Sequence, residues 1–202
     1  PKPAPKAGEK ITLAPGTKLT AKLRSAFIPE ANEVLAALIK DWGQKNGVAV
    51  EADIVSMNDL QTIAATAAET GAGPDIVELN VNSPHLFAEK LLDVSDLCED
   101  LGKRYGGWYE VAKAACNVGG KWLAVPRFYA AHAIVYRQDY FKQVGFDRPA
   151  KTWDEMLEIG RKLKAAKLPP MGFALGHAVG DGNNFAYSVF WSFGGQEVKE
   201  DG

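Results

Sequence analysis

Residues 48–80 read VAVEADIVSMNDLQTIAATAAETGAGPDIVELN, and the order of signals in this stretch decides the fold class. Val48 to Val55 is apolar and β-branched, which favours a strand. The period then changes. Asn58 stands where a cap would open an alanine-rich helix, and Gly71, Gly73 and Pro74 end it. Ile76 to Leu79 is a second short apolar run. A strand, a helix and a strand joined this tightly imply a right-handed crossover in a parallel sheet. Asp75, at the amino end of the last strand, is placed to accept backbone N–H groups in the turn after Pro74.

The pattern extends upstream. Leu19 to Phe27 starts with apolar and polar residues in alternation, as a strand does. Pro29 suits a first helical turn, and Val34, Leu35, Leu38, Ile39 and Trp42 fall on one helical face, so Trp42 reads as packing. Gly47 supplies a left-handed stop. Strand, helix, strand, helix, strand makes the first part of the chain α/β, with a mostly parallel sheet.

Downstream the order is less regular. A short helix follows Pro84, then the turn LLDVSDL (91–97), then a helix over Trp108 to Ala115. Gly119-Gly120 reads as a hairpin turn. KWLAVP (121–126) and YAAHAIVYR (129–137) read as strands, with His132 a hydrogen-bonded core residue of the second. A short helix follows near Tyr140, and Thr152 with Glu155 forms a capping box for the helix carrying Trp153, which also reads as packing. PMGFALG (170–176) reads as a strand, and residues 183–194 as an aromatic-rich helix with an asparagine cap. Its Phe185, Val189 and Phe193 stripe reads as core.

Bulk properties narrow the function. The chain has 202 residues, 47% hydrophobic and 24% charged, enough to bury roughly 70% of its unfolded surface. A net charge of -2 gives no bulk attraction to nucleic acid or an anionic membrane. No run of about 18 apolar residues is present to span a bilayer. Residues 1–17 read as a flexible tail, opening PKPAPKAGEK, as expected after a removed signal peptide and equally of an ordinary frayed terminus. Cys98 and Cys116 lack metal-ligand spacing; they read either as a disulfide or as two small apolar fillers. No metal site or cofactor motif is legible. An enzyme would need a nucleophile and base, a metal set or opposed carboxylates, and none is evident.

Three stretches together resemble the extracytoplasmic solute-binding proteins of ABC importers, in the class of maltose-binding protein and related sugar binders. They are AATAAETGAGPDIVELN with the LLDVSDL turn; NVGGKWLAVPRFYAAHAIVYRQDYFKQVGFDRPAKTWDEM; and the helix ending in Phe193-Gly194-Gly195. The resemblance covers roughly residues 19–202. It implies a periplasmic-binding-protein-like fold of two α/β lobes, a small-molecule solute clasped between them, an ABC permease as membrane partner and a periplasmic location. Lobe limits of 18–128 and 129–202 follow, the latter holding a hinge-crossing strand and the start of a second lobe. Family members run to about twice this length, so the sequence reads as an N-terminal portion whose second lobe would leave apolar surface exposed. A receptor partner of a membrane sensor, using the same fold, is the alternative.

Ligands of such sheets gather beyond the carboxyl ends of the strands. Ser25 and Phe27 follow the first strand, Met57 and Asn58 the second, Asn80 and Asn82 the third. Asn58 and Asn82 are equally open to reading as helix caps. Arg127, Phe128 and Tyr129 border the proposed hinge; Arg127 could fork to a ligand or form a salt bridge. His177, Asp181 and Asn183 lie in a glycine-rich loop that opens a helix, and Trp191 could be either a platform for a sugar or core.

Overall fold

The computed structural model describes residues 14–80, 82–129, 133–177 and 180–198. The chain divides into two compact units, Pro1–Tyr129 and Ala130–Gly202. His132 and the opening of the tail lie outside the described residues.

The first unit is built on a parallel sheet of order β2-β1-β3. Strand β1 (Lys18–Arg24) is central. It pairs along its whole length with β2 (Ala49–Val55), from Lys18 opposite Ala49 to Arg24 opposite Val55. On its other side, Ala21 and Lys22 pair with the two residues of β3 (Ile76–Val77). The crossovers are helices α1 (Pro29–Asn46) and α2 (Met57–Thr70). Helix α2 packs through Leu60 and Ala64, one turn apart and both buried, as is Ala21 of β1. Asn58 is not the cap of α2. Ser56 takes that position and accepts the Asn58 N–H at 3.3 Å, because the helix begins two residues earlier than an Asn58 cap would set it, at Met57.

Helix α1 ends as its sequence foretells, with Gly47 at φ 67°. Its packing face is narrower than the apolar periodicity predicts. Leu35 and Ile39 are half-buried, whereas Val34, Leu38 and Trp42 are exposed, Trp42 by 47%. Gly43 is buried, and an added Cβ there would meet Val48 and Val50, while the indole beside it stays exposed. Trp42 is therefore not the packing residue the sequence suggests.

Asp75 does hold the start of β3, though not through its own turn. One carboxylate oxygen accepts both the Thr20 N–H (2.8 Å) and the Thr20 hydroxyl (2.7 Å), while that hydroxyl accepts the Asp75 N–H (3.0 Å). These bonds hold the Asp75 carboxyl below the usual carboxylate range.

The remainder of the unit contains α3 (Ser83–Leu86), α4 (Ser95–Tyr105), α5 (Glu110–Cys116) and a hairpin of β4 (Asn117–Val118) and β5 (Lys121–Trp122). Gly119 and Gly120, both at positive φ, make the turn as expected. Helix α4 replaces part of what reads as turn: Asp93 accepts the Ser95 N–H at 3.0 Å from outside the helix, so the start signal sits two residues ahead. Helix α5 starts at Glu110, two residues after Trp108. Trp108 packs its ring on Trp122, centroids 5.5 Å apart, and donates its indole N–H to the Cys98 carbonyl at 2.8 Å. Cys98, Cys116 and Trp122 form the buried centre of this subdomain, with Val94, Ala115 and Ala124 around it. Both cysteines are free thiols, and burial pushes the Cys98 thiol up to about 11.

The second unit contains α6 (Gln138–Gln143), α7 (Trp153–Ala165) and α8 (Asp181–Ser192). Thr152 caps α7, accepting the Glu155 N–H at 3.1 Å. The reciprocal bond goes one residue further back than a capping box requires, from the Lys151 N–H to Glu155 at 2.6 Å, and Arg148 grips the same carboxylate with both Nη atoms at 2.9 and 2.7 Å. That fork holds the Glu155 carboxyl down at about 2. Ile159 and Leu163 are the buried seam of α7. Trp153 packs edge-on to Phe185 and donates its indole N–H to Ser192.

The strands predicted at 129–137 and 170–176 do not form among the described residues. Among the described residues of this unit no strand lies there for them to pair with, and Phe173 instead packs on Phe185, ring centroids 4.2 Å apart. Helix α8 starts two residues earlier than predicted, after Gly180 at φ 93°, so Asn183 lies in its first turn and is not its cap. Of its aromatic stripe, Phe185 and Val189 are half-buried, but Phe193 is 75% exposed.

Candidate functional site

The carboxyl ends of β1 and β3 bring charged, amide and aromatic groups together in the first unit. Arg24 is the last residue of β1, and Glu78 follows β3 directly. Parallel pairing sets them side by side: the Glu78 N–H bonds to the Lys22 carbonyl at 2.8 Å, and one Glu78 carboxylate oxygen accepts the Arg24 N–H at 2.8 Å. The same oxygen accepts a charge-assisted bond from Arg127. Glu78 is only 13% exposed along its side chain, so the pair is anchored at its acidic end and solvated at its basic end.

Two phenyl rings flank the cluster. The Arg24 guanidinium lies 6.0 Å from the Phe27 ring centroid and 5.7 Å from that of Phe128; Arg127 approaches Phe128 from 5.6 Å. Phe27 and Phe128 are both exposed, as is Tyr129. Asn80 is half-buried and points its amide N–H at the Met57 carbonyl, at a long 3.5 Å, which brings it to the start of α2 beside Asn58. Asn82 precedes α3 without capping it by its side chain and is exposed. The structure therefore joins Arg127 to Glu78 and Asn80 to the α2 start.

Two participants, Arg24 and Glu78, escape the sequence reading, whereas Phe27 and Phe128 are named in it by their positions after the first strand and beside the hinge. The available signal is a charged residue at the last position of a buried strand, where its side chain has solvent on one side only.

In the second unit, Asp181 opens α8 and folds its carboxylate back over Gly176, where a Cβ would sit 2.5 Å from the nearer oxygen. His177 and Asn183 are exposed near the same helix end. Trp191 is 56% exposed and stacks on Tyr187, centroids 5.5 Å apart and planes 12° from parallel. Its neighbourhood is a shallow depression of about 300 Å³ lined by Trp191, Gly195, Gln196, Glu197 and Val198. Trp191 is thus a surface aromatic and not core.

Residues 28–202 match the sequence profile of the family described as bacterial extracellular solute-binding protein. The chain belongs to this family of solute-binding proteins. Among its relatives, the diacetylchitobiose binding protein DasA of Streptomyces coelicolor is 28% identical over 173 residues, which are 83% of this chain and 38% of that protein. The multiple sugar-binding protein of Streptococcus mutans is 25% identical over 146 residues, 72% of this chain and 34% of the relative. Among solved solute-binding structures, maltose-bound MalE3 of T. maritima superposes with a TM-score of 0.69 at 26% identity, covering 92% of this chain and 47% of that one. The chain thus spans less than half the length of these relatives. Its α/β architecture with a parallel sheet is that of the two-lobed solute-binding proteins. No helix among the described residues is long and apolar enough to cross a membrane.

Proposed function

We propose that the protein is the extracytoplasmic solute-binding component of an ABC transport system, taking a small polar solute, a sugar or sugar derivative, between two lobes for delivery to a membrane permease. The supporting observation is the cluster beyond β1 and β3, where exposed phenyl rings stand beside guanidinium, carboxylate and amide groups. A polyol needs both: flat apolar faces for its C–H surfaces and fixed polar groups for its hydroxyls. Solutes named for the relatives, diacetylchitobiose, multiple sugars and maltose, belong to the same class.

In this reading the first lobe comprises residues 18–128, and the chain enters the second from 129. Asn58, Asn80, Asn82, Arg127 and Tyr129 serve the solute from the first lobe; His177, Asp181, Asn183 and Trp191 serve it from the second. Arg127 does so while holding Glu78, which orients its guanidinium. The protein binds and releases its solute without transforming it and works outside the cytoplasmic membrane.

The test is a thermal-shift screen of the full-length protein against mono- and oligosaccharides, polyols and sugar phosphates, because a ligand selective for the folded state raises Tm by linkage. A shift of several degrees with one solute class is the expected result. No shift with any of them refutes the carbohydrate reading.

A further inference from the structure

The charge balance of the cluster beyond β1 and β3 points to one further property of the solute. Glu78 is shared, but its charge is spent on one partner. Its carboxylate oxygen binds the guanidinium of Arg127, and from Arg24 it takes only the backbone N–H. Among the described residues the Arg24 guanidinium meets no carboxylate; its neighbours are the rings of Phe27 and Phe128. Two positive groups and one negative group leave a net charge of +1, carried by Arg24.

The geometry around Arg24 preserves its hydrogen-bonding capacity. A ring contact of this kind, with the guanidinium carbon 6.0 and 5.7 Å from the two centroids, uses none of the five N–H donors of a guanidinium. Arg24 is half-buried at the end of a fully paired strand, so the side chain springs from a fixed backbone. Both rings are exposed, Phe27 by 93% and Phe128 by 58%, so each leaves apolar surface open beside the guanidinium. A fork of donors beside two exposed phenyl rings fits an anionic oxygen group, phosphate or carboxylate, attached to a carbon skeleton that can lie on a ring.

We propose that Arg24, steadied by Phe27 and Phe128, anchors an anionic group on the solute, so that the preferred ligand is a phosphorylated or carboxylated sugar or polyol and not its neutral parent. This rests on the solute-binding reading above. A neutral sugar would leave Arg24 to water and gain nothing from its charge.

The experiment is calorimetric titration of the full-length protein with matched sets: a neutral sugar, its phosphate and its uronate, for each skeleton that shifts Tm. Anionic members are expected to bind at least tenfold more tightly than the neutral member, and to lose affinity as salt rises from about 20 to about 300 mM, across which the screening length falls severalfold. The phosphate and uronate arms separate the two sources of negative charge. Arg24→Gln should lower anionic affinity tenfold or more while changing neutral binding less than twofold; Arg24→Lys, which keeps the charge but loses the fork, should fall between. Should Arg24→Gln fail to fold, the Lys variant and the wild-type salt dependence carry the same decision. Equal or tighter neutral binding, or an anionic-to-neutral ratio unchanged by Arg24→Gln, overturns the proposal and leaves solute binding standing. Binding of no member of any set overturns both.

Discussion

Gly43 offers a test in which two known effects oppose each other. It lies in the last turns of α1, where replacing glycine by alanine ordinarily stabilises a helix by about 1 kcal/mol. Here an added Cβ would lie 2.7 Å from the Val48 carbonyl oxygen and 3.1 Å from Val50 Cγ2. The first of these is backbone, and it cannot swing away: the Val48 N–H is bonded to the Gly43 carbonyl at 2.9 Å, and Val48 leads directly into paired β2. Relieving the clash means pushing α1 off the sheet, an overpacking strain of ~1–3 kcal/mol. Overpacking therefore outweighs propensity, and Gly43→Ala should destabilise by ~1 kcal/mol net. In urea, followed by far-UV circular dichroism, that is a fall in midpoint of roughly 0.5 M for a slope near 2 kcal/mol per M. Ala37→Gly, at an exposed position of the same helix, calibrates the propensity term and should cost about 1 kcal/mol by itself. A Gly43→Ala variant more stable than wild type would refute the reasoning, since it would mean that α1 can lift from β2 at no cost.

Three further outcomes are expected. Glu155 has its carboxyl lowered from 4.5 to about 2 in the folded chain, so its contribution to stability is complete above about pH 4.5 and is lost as pH falls towards 2; Glu155→Gln should flatten that part of an acid-unfolding curve, and an unchanged curve would contradict the fork with Arg148. With the Cys98 thiol near 11, about one molecule in a thousand carries its thiolate at pH 8, so a thiol reagent should label the native protein far more slowly than the urea-unfolded protein; rapid native labelling would contradict the buried cluster. Asn80→Ala should weaken solute binding by about tenfold, near 1.4 kcal/mol, with Tm almost unchanged, because its one long hydrogen bond to Met57 adds little to stability; parallel loss of binding and Tm in the two assays would make Asn80 structural.

The parallel sheet was the most legible part of the molecule. Each crossover carries its own punctuation, Pro29 and Gly47 around α1 and Gly71 to Pro74 after α2, and such signals act over a few residues. What escaped was set at longer range. Helix α4 is introduced by Asp93 from outside the helix, and Trp42 stays exposed while its glycine neighbour is buried. The apolar runs at 133–137 and 170–175 have strand composition but no paired strand, and a strand exists only with a partner. At the candidate site, Asn80 and Arg127 were found from their positions after a strand and after Pro126. Arg24 and Glu78 were missed because each looks like an ordinary charge until parallel pairing sets one beside the other across 54 residues of chain.

The reciprocal bonds between Asp75 and Thr20 bear on how this site can vary. Strand β3 pairs through only two residues, too few to specify its own alignment, and a slip of one position would turn Glu78 to the opposite face of the sheet. The bonds at Thr20 work like the stop on a slide rule, zeroing the two strands at their amino ends so that the carboxyl ends stay aligned. Substitutions among the loop residues beyond Arg24 and Glu78 can then reshape the proposed solute site while the alignment beneath them is kept from the far edge of the sheet.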